Sequence, residues 1–281
     1  MVSQPSLSSQ LQILEEKLGV RLVERSRSGV QLTPAGREIV ERGNRILEDV
    51  QGLVDFAAGA GNGLVGTIRL GAKPTLGPYL LPLVVHQLHR QYKELKLYIR
   101  ESAPRELERE LLGGTHDIIL AQLPVVSADL VSVRLFREPL YLAMAADHPL
   151  AKKEHAEIAD LKGVDVLSLS PQYHLHDQIS QLCKDFGAIL VRDYEGTSLD
   201  ALRQMVGMGM GVTFLPALYV RSEIPTRGDV VVKILKGRNV YRECGLAWRR
   251  TSGRSESYDQ LADIMRDVAA KKFKDLSVSG Q

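Results

Sequence analysis

Leu7, Leu11, Leu14 and Leu18 recur at spacings of three and four residues, which puts them on one side of a helix. Ser3 suits the cap of that helix, Pro5 its first turn, where the missing amide would go unpaired in any case, and Gly19 its end. Val20, Leu22 and Val23 then predict a short strand, residues 25–29 a basic turn, and Val30-Gln31-Leu32 a returning strand. A second helix opens at Thr33-Pro34-Ala35-Gly36 and meets no further proline up to about residue 58. Along it Ile39, Val40, Ile46, Leu47, Val50, Leu53 and Val54 form an apolar stripe. So near the start of the chain that stripe has no obvious internal partner. A second copy in a coiled-coil dimer is the natural one, with packing onto the chain's own domain as the alternative. The glycine-rich run 59–63 breaks the helix and predicts a flexible hinge.

From residue 66 the pattern changes to short apolar runs separated by single amphipathic segments. Strands are predicted at 67–71, 95–102, 117–122, within 134–146, and at 166–170, 194–196, 212–216, 230–234 and 244–248. Helices are predicted at 79–92, 104–113, 176–186, 198–208 and 256–273. Strands separated by single helices imply α/β layering. The order fits two lobes crossed twice by the chain, near 140–150 and 236–243.

Length, at 281 residues, allows one large domain or two to three small ones, and 44% hydrophobic with 25% charged residues is ordinary for a globular protein. A net charge of +2 is too mild to indicate nucleic acid on its own. Its distribution says more: Arg21, Arg25, Arg27 and Arg37 stand against Glu24 alone around the two-stranded wing. On the polar side of the first helix Gln4, Ser6, Ser8, Ser9 and Gln10 could reach base edges or phosphates, and Arg25 and Arg27 suit the phosphate backbone. No signal peptide precedes the first helix and no apolar run reaches the roughly 18 residues a membrane span needs. Two cysteines, Cys183 and Cys244, fit a reducing compartment. A cytoplasmic protein with no membrane partner is expected.

The opening stretch resembles the DNA-binding domain of the LysR-type transcriptional regulators, through Ser3-Gln4-Pro5-Ser6-Leu7-Ser8, Leu14-Glu15, Leu18-Gly19-Val20, Leu22, Arg25, Leu32-Thr33 and Ala35-Gly36. The resemblance implies a winged helix-turn-helix that contacts double-stranded operator DNA through Gln4, Pro5, Ser6, Ser8, Ser9, Arg25 and Arg27. Members of that family carry two further helices before the recognition helix, whereas this chain starts at Met1 directly before it. An N-terminally truncated or misassigned start is therefore expected. The expected fold is α+β overall: a partial winged helix-turn-helix over 1–33, a dimerisation linker helix over 34–58, a hinge over 59–66, and a two-lobed α/β effector domain over 67–281. That effector domain resembles the periplasmic-binding-protein-like domain of the same family, with lobe I at about 67–140 and 242–281 and lobe II at about 141–241. Such domains bind small ligands between their lobes. A homodimer or homotetramer is implied.

Three segments look like the OxyR-type peroxide-responsive branch: Pro74-Thr75-Leu76-Gly77-Pro78-Tyr79, Thr197-Ser198-Leu199-Asp200 with Gly211-Val212-Thr213-Phe214-Leu215-Pro216, and Leu175-His176-Asp177-Gln178 with Cys183. In that branch a peroxidatic cysteine precedes the Leu-x-Asp-Gln run and a resolving cysteine follows nine residues on. Here the resolving position is Cys183 and the peroxidatic position is His174, and a histidine forms neither sulfenic acid nor disulfide. Cys244 reads as a small buried hydrophobe. The effector, a small molecule or peroxide, is expected to meet Thr75, Gln122, His174, Cys183 and Ser198. Thr75 and Ser198 follow strands at helix starts, where hydroxyls serve equally for capping and for ligand binding. Cys183 with Ile179 and Leu182 also reads as a core thiol.

His174 and His176, two apart on a strand, would share a face and could hold a metal, but no completing ligand set is spaced for it. Catalysis would need Cys183 paired with His174 or His176, in a setting without the basic surroundings that activate a thiol. No metal, cofactor or enzymatic activity is therefore expected. The function read from the chain is a DNA-binding regulator whose pocket lacks the peroxidatic thiol; the alternative is a small-molecule sensor of the same family that has lost DNA binding.

Overall fold

The computed structural model describes residues 4–26, 29–59, 64–225 and 228–278, which divide into two units, Met1–Val54 and Asp55–Gln281. In the first unit α1 (Gln4–Leu18) ends at Gly19, whose φ of 66° is the left-handed conformation that glycine adopts without penalty. β1 (Val23–Ser26) pairs antiparallel with β2 (Gly29–Leu32). The first apolar strand therefore starts at Val23 rather than Val20. Leu22 ahead of it is buried, and the Glu15 carboxylate accepts hydrogen bonds from the amides of Leu22 and Val23 at 2.6 and 3.1 Å. That contact pins the wing to α1. α2 (Pro34–Gly59) is capped by Thr33, whose hydroxyl accepts from the Gly36 amide at 2.9 Å. A side chain at Gly36 would run into the Leu22 carbonyl, so only glycine fits there. Residues 60–63 of the expected hinge lie outside the described residues.

The second unit runs β3 (Gly66–Ala72), α3 (Gly77–Gln91), β4 (Leu95–Glu101), α4 (Pro104–Leu112), β5 (Ile118–Gln122) and β6 (Leu130–Ala145). Two single 3-10 turns then flank β7 (Ala156–Glu157), and β8 (Asp165–Val166), α5 (His174–Phe186), β9 (Ile189–Leu190), α6 (Leu199–Gly207), β10 (Thr213–Pro216) and α7 (Ala217–Glu223) follow. β11 (Val230–Lys233), β12 (Leu235–Lys236), β13 (Tyr241–Arg249), α8 (Ser255–Lys272) and β14 (Ser277–Val278) complete the chain.

The main sheet has the order β10-β6-β13-β5-β3-β4. β3 lies parallel to β4 and β5, and β13 lies antiparallel to β5 and β6. β6 serves both lobes. Up to Pro139 it pairs with β13, and from Leu140 it pairs with β10 and then β11. The predicted segments within 134–146 are thus one strand. Pro139 stands where the partner changes, a position at which its missing amide breaks no ladder. Among the described residues three cores result: one around Ile68, Leu80, Phe136, Trp248 and Met265, a second around Leu142, Leu167, Ile179, Val206 and Phe214, and a smaller one around Leu107, Leu111 and Ile119. The strand predicted over 166–170 is only Asp165–Val166, and that predicted over 194–196 reduces to a single bridge from Gly196 to Leu169. Among the described residues no helix is long and apolar enough to cross a membrane.

Candidate functional site

In the first unit the polar side of α1 presents Ser6, Ser8, Ser9 and Gln10 to solvent. Gln4 and Pro5 open the helix and Arg25 sits opposite Val30 in the wing. Of these three only the backbone is described, and Arg27 lies outside the described residues. The Arg37 guanidinium is engaged locally. It donates to the Leu32 carbonyl at 2.9 Å and ties α2 to β2. The apolar sides are uncovered. Leu7 is 62% exposed on α1, and Ile46, Leu47 and Leu53 are 64%, 68% and 68% exposed on α2.

In the second unit Thr75 and Ser198 line one cleft of about 340 Å³ with Pro74, Pro78, Tyr79, Thr197, Leu199, Asp200 and Glu223. Ser198 caps α6, accepting from the Asp200 amide at 3.1 Å. Thr75 does not cap α3. Leu76 occupies the cap position, and the Thr75 hydroxyl and carbonyl instead accept from Arg242 at 3.1 and 2.8 Å. Arg242 is fully buried and also donates to Glu138 at 2.7 Å, while the other Glu138 oxygen accepts from the Leu218 amide at 2.8 Å. A buried chain therefore links Thr75 of one lobe through β13 and β6 to α7 of the other.

His174 begins α5, so the histidine pair lies in a helical turn rather than on a strand. Residues two apart on a helix do not share a face, and the metal geometry considered for them fails. His176 Nδ1 instead sits 2.8 Å from the Leu169 carbonyl. Among the described residues no cluster of three or more histidines, cysteines or carboxylates could hold a metal ion. His174 Nδ1 lies 2.9 Å from Lys73 Nζ, at the end of β3. Burial and then the Lys73 charge hold the His174 imidazole below its ordinary value, against a hydrogen bond to the Gln122 backbone that favours the charged form. Lys73 is buried, and desolvation followed by the nearby Arg242 charge brings its ammonium down to about 8. Gln122 donates through its side chain to Gln178 at 3.3 Å. Lys73 and His174 thus meet, Gln122 meets Gln178, and Thr75 is held separately by Arg242.

Cys183 does not line this pocket. It faces the core of its lobe with Leu182 and Phe186, and burial pushes its thiol up to about 11. Cys244 is fully buried in the other core, and burial pushes its thiol up as well. Neither has the lowered value of a reactive thiol.

Sequence reasoning passed over Lys73, Glu138 and Arg242. Only Lys73 carried a signal, a single charge after an apolar strand pattern in Gly71-Ala72-Lys73-Pro74; Glu138 and Arg242 each adjoin a second charge, Arg137 and Glu243, and look like surface positions.

Known proteins place these features in context. Residues 61–270 match the family described as "LysR substrate binding domain", and residues 1–37 match "Bacterial regulatory helix-turn-helix protein, lysR family". The chain is 37% identical over 265 residues to the DNA-binding transcriptional dual regulator OxyR of Escherichia coli K12, covering 94% of this chain and 87% of that protein. It is 32% identical over 279 residues to a probable hydrogen peroxide-inducible genes activator of Streptomyces viridosporus, covering 98% and 89%. A full-length OxyR variant from Pseudomonas aeruginosa superposes with a TM-score of 0.74 at 36% identity, covering 94% of this chain and 86% of that one. A cysteine mutant of OxyR from Corynebacterium glutamicum with hydrogen peroxide bound gives 0.74 at 31% identity, covering 96% and 85%.

Proposed function

This chain belongs to the LysR family of transcriptional regulators and is related to the OxyR peroxide sensors, and we propose that its effector domain works without their thiol switch. The observation that carries the proposal is the Lys73–His174 hydrogen bond at 2.9 Å, formed at the position which the resemblance assigns to the peroxidatic cysteine. An imidazole hydrogen-bonded to a buried amine has no oxidation chemistry equivalent to a thiol. Two buried cysteines in separate cores, both with raised thiol values, support the same reading.

In this reading the wing and the polar side of α1 engage operator DNA through Gln4, Pro5, Ser6, Ser8, Ser9, Arg25 and Arg27. A small molecule in the effector domain biases that binding. Two chains associate through the apolar stripe of α2, with a tetramer as the larger assembly. A second reading, a sensor that no longer engages DNA, draws on the uncovered apolar side of α1, because a recognition helix needs packing behind it to hold its angle in the groove. Fluorescence anisotropy with duplexes selected from the source genome separates the two.

The test of the thiol-free reading is mass spectrometry of the full chain after peroxide treatment and alkylation. Both Cys183 and Cys244 remain alkylatable after denaturation, and no disulfide joins them. A peroxide-driven 183–244 disulfide accompanied by altered DNA binding would overturn the reading.

A further inference from the structure

A second cavity, of about 490 Å³, shares no lining residue with the cleft of Thr75 and Ser198. It lies on the other side of the strands that join the lobes. Glu138 and Arg242 stand opposite each other on β6 and β13 and are tied toward Thr75. Side chains alternate across a strand, so their neighbours Arg137 and Tyr241 belong to the opposite face, and both line this cavity. Its apolar walls come from both passes of the chain between the lobes, Pro139 and Leu140 from the first, Leu235 and Val240 from the second. Ile234 lines it too and is 67% exposed. A recess of this volume with apolar walls and a few polar groups is the usual form of a small-ligand site.

Two guanidiniums line it, and both are held in place. Arg137 Nε donates to Glu243 at 2.9 Å, and its guanidinium lies 4.7 Å from the centre of the Tyr241 ring. Arg238 donates through one Nη to Asp185 at 2.7 Å and lies 5.3 Å from the centre of the Phe186 ring. A guanidinium carries five N–H groups. Among the described residues no other hydrogen bond occupies the remaining donors of Arg137 or Arg238. The one carboxylate in the lining, Asp275, already accepts from Arg221 at 3.0 Å. The lining thus carries two cations against one carboxylate, set among apolar walls. That combination is complementary to an amphiphile of negative charge.

We propose that this cavity is a second ligand site, for an apolar monocarboxylate of medium chain length, with the carboxylate on Arg137 and Arg238 and the chain along Pro139, Leu140, Leu235 and Val240. One negative charge matches the excess of one cation in the lining, and the chain takes the place of water on the exposed apolar surface. Because the walls come from both crossover segments, an occupant bears on both at once. It therefore biases the angle between the lobes from the side away from the cleft, whatever the cleft itself holds.

Isothermal titration calorimetry on the intact chain tests it, with sodium octanoate below its micellar concentration as the probe, at constant ionic strength. Octanoate gives saturable heats. Acetate, which has the charge without the chain, and octanamide, which has the chain without the charge, do not match them. Arg137→Gln removes one half-exposed cation at similar length and lowers octanoate affinity by about fivefold, the scale of a partly solvated charge contact. Ser277→Trp acts by volume alone. Ser277 is exposed on β14 and lines the cavity, so the indole fills the recess and abolishes the saturable heats. Circular dichroism verifies the fold of both variants. Absence of saturable octanoate heats, equal affinity for octanamide, or wild-type affinity in folded Arg137→Gln would each overturn the proposal. Wild-type affinity in folded Ser277→Trp would overturn it as well, by placing the octanoate elsewhere, as on the uncovered apolar sides of α1 and α2.

Discussion

At the residue scale the pocket depends on three charges buried far apart in sequence. Arg242 reaches Glu138 across 104 positions and Lys73 reaches His174 across 101. Pattern reading finds Thr75 and Ser198, because hydroxyls at strand-to-helix junctions have a local signature. It does not find Lys73, Arg242 or Glu138: Arg242 meets Glu138 through the register of β13 on β6, and Lys73 meets His174 only when the two lobes assemble. It also put His174 on a strand, since two apolar residues beside a histidine fit either period. Removing one member of a fully buried pair leaves the other uncompensated. Arg242→Met should therefore destabilise the chain by about 3–5 kcal/mol, and Arg242→Met with Glu138→Leu by clearly less. Urea unfolding measures both, and a double variant as unstable as the single one would contradict the pairing. His174→Cys makes a second informative case. A thiol beside Lys73 gains thiolate character, so peroxide should convert it to a sulfenic acid that a dimedone probe traps. Positions 174 and 183 share α5 and are separated by a helical rise of about 13.5 Å, whereas a disulfide needs its Cα atoms within about 7 Å. A 174–183 disulfide should form only together with loss of helical circular dichroism. Its formation without that loss would show that α5 is wrongly placed.

At the scale of elements the helices of the second unit other than α7, for which the pattern predicted nothing, and most of its strands lie within a few residues of their predicted bounds, because each carries a strong period and a glycine or proline near its edge. The short strands of the second lobe did not. Asp165–Val166 and the Gly196 bridge depend on partners that no local pattern encodes. α2 is the element that most plainly requires a partner. Ile46, Leu47, Val50, Leu53 and Val54 are each more than half exposed, an apolar seam that a second chain would cover. Ile46→Asp should shift sedimentation toward smaller particles, since the seam cannot compensate the charge. A wild-type chain sedimenting as a monomer at micromolar concentration would reject the idea. On α1, Ser6→Ala should cost about 1–3 kcal/mol of discrimination where the hydroxyl meets a base edge. Arg25→Ala should weaken all duplexes alike and reduce the slope of log affinity against log salt by about 1. Anisotropy titrations over a salt series read both effects, and an Arg25→Ala slope equal to wild type would remove the wing from the contact surface.

At the scale of the whole molecule the chain joins a lysR-family helix-turn-helix unit to a LysR substrate-binding domain related to OxyR, and the proposal gives that domain's pocket a different chemistry. The family membership was legible in the order of residues from Ser3 to Gly36, and the two-lobed domain in the alternation of strands and helices. The pocket's chemistry was only half legible. His174 in place of a cysteine stood in the sequence, while the amine that completes it came from the end of a strand with no motif of its own. If the pocket senses without thiols, the cysteines are packing residues and can be exchanged for other small ones at the cost of cavity energy alone. The decisive quantity is therefore the affinity of the full chain carrying Cys183→Ala and Cys244→Ala for a genomic duplex that the wild type selects, with and without peroxide. A thiol-free pocket predicts wild-type affinity for the folded cysteine-free chain and no effect of peroxide on either protein. A wild-type affinity that changes with peroxide, and a cysteine-free chain that no longer responds, would contradict it.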